Sequence, residues 1–134
     1  MKLKLFLFLL PFLAATLCTD EEELISPDPE SRYQLQNNTT TDLYLLTDNG
    51  FLEIPAQATT VVGSEYNSTD GKMISPSETI LFQNLKLYRL ENGDYMLVYE
   101  QDPVDDALWN FEEDENADYR LFEYTLVISE TLFN

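Results

Sequence analysis

The sequence contains no histidine, a single cysteine and only four glycines in 134 residues. Without histidine, a Ser-His-Asp or Cys-His catalytic arrangement and a histidine-based zinc site are both excluded. Because Cys18 is the sole cysteine, it has no partner for an intramolecular disulfide. No glycine-rich phosphate-binding motif is present. Carboxylates are the catalytic groups that remain, and they are too frequent to identify a hydrolase, so we expect a non-catalytic protein.

Basic residues are also scarce, since Lys and Arg total 7 against 25 Asp and Glu. A surface this acidic repels phosphate backbones and anionic lipid headgroups, which argues against nucleic-acid binding and against charge-driven membrane binding. Hydrophobic residues nevertheless make up 44% of the sequence, and they are spread through the region after about Arg32. That region is long enough for one folded domain with its own core.

The longest apolar run, residues 5–17, follows two lysines and is too short to cross a bilayer. It ends at Cys18, and an acidic tract begins two residues later. This order predicts an export signal over residues 1–17. Either Cys18 becomes the acylated first residue of a lipoprotein, carrying chains such as palmitate, or it is removed within an ordinary signal peptide and the protein is secreted. The position of the sole cysteine favours acylation, whereas Leu17 stands where lipoprotein signals carry Gly, Ala or Ser.

The segment Cys18-Thr19-Asp20-Glu21-Glu22-Glu23 resembles the N-termini of lipoproteins from the Bacteroidetes group. The remainder, with Asn37-Asn38-Thr39 and the segment 124–128, is similar to small uncharacterised lipoproteins of the flavobacterial type. The resemblance implies a cell-envelope protein that is lipid-anchored in the outer membrane and displayed on its outer surface.

Residues 18–31 are acidic and contain Pro27 and Pro29. This composition predicts an extended tether between the lipidated cysteine and the folded domain. The domain itself is predicted over residues 32–134.

Short apolar or alternating segments predict that the domain is almost entirely β-structure. The predicted strands are residues 32–36, 43–47, 51–54, 59–62, 79–82, 85–90, 94–99 and 121–128. Asn49-Gly50 and Asn92-Gly93 predict tight hairpin turns, because both central residues of a type I′ turn need positive φ. We expect a single antiparallel β-sandwich, immunoglobulin-like, with a small β-barrel as the alternative.

Residues 100–118 carry the densest group of acids. Clustered carboxylates can bind calcium, and the candidate ligands are Asp102, Asp105, Asp106, Glu112 and Asp114. No EF-hand spacing occurs in the segment, so we expect a solvated acidic loop, with weak divalent-cation binding as the alternative. One helical turn is predicted within residues 105–111, with Leu108 and Phe111 facing the sheet.

Trp109 and the tyrosines could stack on sugar rings. Six tyrosines lie at predicted strand positions, where we expect them to fill the core or its rim: Tyr33, Tyr44, Tyr88, Tyr95, Tyr99 and Tyr124. Trp109, Leu108 and Phe111 are expected to cap one end of the sandwich. A line of exposed rings in one plane would favour the sugar hypothesis.

Two functions remain open. The first is a non-catalytic, lipid-anchored envelope protein whose domain contacts another protein or a glycan. The second is a secreted acidic accessory protein that binds divalent cations or a basic partner.

Intact-mass analysis of the protein from the membrane fraction tests the predicted anchor. We expect a chain that begins at Cys18 and carries a diacylglyceryl thioether with an acylated amine. A chain that begins at Thr19, carries no acyl group and is released into the medium would contradict the lipoprotein prediction.

Overall fold

The computed structural model describes residues 28–115 and 119–133, apart from the side chain of Glu115. The predicted signal peptide, Cys18 and most of the predicted tether therefore lie outside the described residues. The strands are β1 (Glu30–Asn37), β2 (Leu43–Thr47), β3 (Gly50–Ile54), β4 (Ala58–Tyr66), β5 (Leu85–Glu91), β6 (Asp94–Gln101), β7 (Trp109–Glu115) and β8 (Arg120–Ile128). Strand β1 begins two residues before the predicted start of the domain at residue 32.

The strands form two four-stranded sheets. Sheet 1 has the order β4-β1-β8-β7, and sheet 2 has the order β3-β2-β5-β6. Every neighbouring pair is antiparallel except β1 and β8, which are parallel. The predicted all-β sandwich is confirmed, and the described sheets do not close into the alternative barrel.

A single core lies between the sheets. Sheet 2 contributes buried leucines such as Leu45 and Leu87, and sheet 1 contributes alternate residues of β1 and β8. The ring of Tyr33 stacks on that of Tyr124 with centroids 5.8 Å apart, and its hydroxyl donates to the carbonyl of Ile74 at 2.9 Å. Burial raises the pKa of the Tyr33 hydroxyl well above its ordinary value.

Both predicted hairpins are present, but the first turn differs from the prediction: Thr47 pairs with Gly50, so Asp48 and Asn49 are its central residues, and Asn49 does not have positive φ. In the second, Glu91 pairs with Asp94 across Asn92 and Gly93, whose φ angles are 53° and 93°. Positive φ at both positions is what Asn-Gly provides at low cost, so these residues set the pairing of β5 and β6 next to the turn. Farther along, the register shifts by one residue between Leu87 and Tyr88.

Three predictions of local structure were wrong. Residues 79–82 form no strand; the Thr79 hydroxyl and the Ile80 amide instead donate to the side-chain carboxylate of Glu65 on β4. Strand β4 continues through Gly63 to Tyr66, with a bulge where it pairs with β1. The expected acidic loop contains β7, which pairs with β8 along its whole length.

The predicted helical turn is a short 3-10 turn over Asp106–Leu108, and a second one covers Glu130–Leu132. Leu108, which was predicted to face the sheet, has half of its surface exposed. Within the described ranges, no helix has the length and apolar character needed to cross a membrane.

A buried polar network joins the end of β1 to sheet 2. The Asn37 amide donates to the carbonyls of Thr41 and Ile54, each at 2.9 Å. Its oxygen accepts from the amide and the hydroxyl of Thr39 at 3.0 and 2.7 Å. All four hydrogen-bonding positions of the side chain are thus used in a completely buried site.

Replacement of Asn37 by Asp should destabilise the domain by about 3 kcal/mol or more, because it places a carboxylate oxygen against two carbonyls and leaves a buried charge unpaired. The neighbouring Asn38 is exposed, so N38D should change stability by less than about 0.5 kcal/mol. Urea unfolding of the two variants compares them directly. Equal midpoints would contradict the assigned role of Asn37.

Candidate functional site

The five candidate calcium ligands are all exposed but have different environments. The Asp105 carboxylate accepts from the backbone amide of Ala107 at 3.0 Å and caps the 3-10 turn. The Asp106 carboxylate accepts from the amide and the hydroxyl of Ser77 at 2.7 and 2.6 Å. These two carboxylates therefore hold local backbone structure.

The other candidates lie apart from them along the chain. Asp102 follows β6, and Glu112 and Asp114 belong to β7, where Glu112 is opposite Glu123. Among the described residues, no group of three or more His, Cys, Asp or Glu side chains is arranged to hold a metal ion. The described structure thus does not bring the candidates together into a calcium site.

The aromatic residues divide between the core and the surface. Trp109 is buried, stacks on Phe82 at 5.9 Å and donates its ring N–H to Gln101 at 3.4 Å. Phe111, in contrast, is 45% exposed, although its ring packs against those of Phe122 and Tyr124. Of the three residues expected to cap one end of the sandwich, Trp109, Leu108 and Phe111, only Trp109 is buried. Tyr33, Tyr99 and Tyr124 lie in the core, as expected.

The remaining three strand tyrosines lie on the outer side of sheet 2, together with Phe51. Each strand of the sheet provides one ring of this cluster, namely Tyr44, Phe51, Tyr88 and Tyr95. Phe51 stacks on Tyr95 with centroids 4.0 Å apart and an interplanar angle of 18°. Tyr44 meets Tyr95 edge-on at 5.2 Å, and Tyr88 meets Phe51 in the same way at 5.2 Å.

Three leucines extend this cluster. Leu46 is paired with Phe51, Leu90 with Tyr95, and Leu97 with Tyr88, and paired residues of antiparallel strands share a side of the sheet. The leucines are 44%, 46% and 48% exposed. We call these seven residues the aromatic face: Tyr44, Leu46, Phe51, Tyr88, Leu90, Tyr95 and Leu97.

The aromatic face was not predicted, although the sequence carries a signal for it. The outer side of an antiparallel sandwich is ordinarily polar, which gives alternating apolar and polar residues. Strand β2 instead contains Leu43-Tyr44-Leu45-Leu46, in which both sides are apolar. The strand order, which the sequence does not reveal, is what brings the four rings together.

Carboxylates border the aromatic face. Glu53 is paired with Tyr44, and Asp48 lies in the turn between β2 and β3. The pKa of the Tyr44 hydroxyl is raised, first by desolvation and then by the nearby carboxylates of Glu53 and Asp42. A cation that approached this border would find negative charge close to the rings.

The basic side chains of the described residues are already paired. Lys86 lies 3.1 Å from Glu100, which raises the pKa of its amine. The other four described cations also form ion pairs with acids: Arg32, Lys72, Arg89 and Arg120. The acidic border is therefore not neutralised by the chain's own cations.

A groove lies beyond Leu46. It is lined by the turn at Thr47 and Asp48 and by residues 80–84. Ile80 in this groove is 87% exposed. The unpaired segment that was predicted as a strand thus adds exposed apolar surface next to sheet 2.

Comparisons of the chain with protein-family models, with curated proteins and with solved structures find no match.

Proposed function

We propose that this protein is a lipid-anchored, non-catalytic binding module of the cell envelope, held in the outer membrane through Cys18 and displayed at the surface. The aromatic face is its binding surface. Its partner is a protein whose contact surface is apolar at the centre and bordered by lysine or arginine.

The observation that carries this proposal is the exposure of apolar side chains on all four strands of sheet 2. Phe51, Tyr95 and three leucines are each between 41% and 48% exposed. Large contiguous apolar surface on a soluble domain is typical of interaction sites. Covering the exposed half of one leucine contributes roughly 1 kcal/mol, so several such residues supply a useful part of a binding free energy.

The packing of the rings favours a protein over a glycan. A sugar-binding platform needs ring faces that lie flat and open to the ligand. Here Phe51 and Tyr95 cover one face of each other, and Tyr44 and Tyr88 pack edge-on against them. The cluster therefore presents ring edges and leucine side chains, which suit apolar side chains of a protein.

Charge selects among protein partners and argues against two other ligands. A second copy of the chain would bring like carboxylates together, because the formal net charge of the chain is −18. An anionic membrane surface would be repelled for the same reason. A partner with basic residues around its contact surface would form ion pairs with the acidic border and would associate faster.

The assembly state of the protein in mild detergent tests this function. We expect the protein to migrate in a complex with a second polypeptide. Leu97→Lys should weaken this complex at least about tenfold, because an ammonium group is placed in the apolar contact. Val61 provides the matched control, since it is 52% exposed on β4 of sheet 1, and V61K should leave the complex unchanged.

Three results would contradict the proposal. The native protein could be monomeric, its complex could contain only copies of this chain, or L97K and V61K could have equal effects. Urea unfolding of both variants verifies that neither substitution acts through stability.

A further inference from the structure

We infer that the partner adds a strand to β6, the free edge of sheet 2, and that the added segment is extended and apolar with lysine or arginine at its ends. This inference rests on the proposed function, because it describes how the same partner is bound.

The two edge strands of sheet 2, β3 and β6, differ in how well they are protected against the addition of a strand. Strand β3 has five residues, carries Glu53 and is followed by Pro55, and it also contacts β4 of sheet 1. Strand β6 has eight residues and pairs only with β5 in the described structure. Its segment 95–99 contains no charged residue. Charges, short length, bulges and neighbouring proline are the usual means of protecting a sheet edge. The pairing with β5 skips Val98, so a bulge lies near the end of this segment, and residues 95–97 before it have none of these protections.

The exposure of Met96 is the observation that favours strand addition over contact with the aromatic face alone. Tyr95 and Leu97 belong to the aromatic face, so Met96 between them points to the opposite side of the strand. Met96 is nevertheless 50% exposed. A partner that covered only the aromatic face would leave Met96 in water. An added strand would lie beside β6 and contact its side chains on both sides.

Carboxylates near the two ends of residues 95–99 favour basic residues at the two ends of the partner's added strand. Asp94 lies at the start of β6, and Asp102 follows its last residue. In the described part of the chain neither carboxylate lies in an ion pair. An incoming strand with basic ends would pair with both, whereas β6 of a second copy would place carboxylates against carboxylates.

Synthetic peptides provide the test. The probe is a peptide of about nine residues, the length of a typical long strand, with alternating valine and phenylalanine at the centre and two lysines at each end. One control has the same side chains but N-methyl groups on alternate backbone amides, and the other has glutamates at its ends. Binding to the processed protein purified from cells is measured by fluorescence anisotropy.

We expect the unmodified peptide to bind at least about tenfold more tightly than either control, since strand addition needs main-chain hydrogen bonds and the acids need basic ends. Its binding should slow amide hydrogen exchange in residues 95–98 and leave β3 unchanged. Met96→Lys should weaken binding at least about tenfold. Met73, which is 51% exposed outside sheet 2, is the matched control, and M73K should bind normally.

Equal binding of the N-methylated peptide would overturn strand addition while leaving the aromatic face as a side-chain contact. Protection on another edge, equal effects of M96K and M73K, or no binding by any of the peptides would also overturn it. The assembly experiment with L97K and V61K uses the native partner instead of a peptide, so a failure of the proposed function is seen there independently.

Discussion

The parallel pairing of β1 with β8 is the contact on which the rest of the domain depends. These two strands occupy the centre of sheet 1, with β4 outside β1 and β7 outside β8. Their register runs from Glu30 opposite Leu121 to Asn37 opposite Ile128, and it places Tyr33 beside Tyr124 in the core. Without this pairing, sheet 1 would separate into the pairs β4-β1 and β8-β7, and sheet 2 would lose the continuous surface on which it packs.

Asn37 extends this constraint to sheet 2. It is the last residue of β1, and its side chain bonds to carbonyls just before β2 and at the end of β3. The network therefore fixes how the chain crosses from one sheet to the other. Because sheet 2 is supported along its inner side, its outer side can carry exposed rings and leucines without losing its shape.

The aromatic face increases the tendency of the protein to aggregate, and the acidity of the chain opposes this tendency. Exposed apolar strands promote aggregation, whereas high net charge of one sign keeps molecules apart. The same carboxylates that border the face would thus keep copies of the chain separate and attract a basic partner. In this account the acidity and the aromatic face serve one function, and neither requires a metal site.

Much of the fold could be predicted because its signals are local. The Asn-Gly pairs located two hairpins, although only Asn92-Gly93 forms the central pair of its turn. The alternation in β8 correctly placed Phe122, Tyr124, Leu126 and Ile128 inside. Strand β7 was missed because its acidic residues have low strand propensity, and its pairing with β8 outweighs that preference. Residues 79–82 have the propensity of a strand, yet Phe82 packs against Tyr33 and Trp109 from an unpaired segment. The aromatic face depends on strand order, so no local pattern could have located it.

Hydroxyl-radical footprinting on intact cells and on the purified protein tests the central claim most directly, because it reports side-chain exposure in the native setting. If the aromatic face is a binding surface, Phe51, Tyr95 and Leu97 should be oxidised several-fold more slowly in cells than in the purified protein. Met73, with half of its surface exposed outside sheet 2, should react equally in both. Equal oxidation of the aromatic face in cells and in the purified protein would contradict the account.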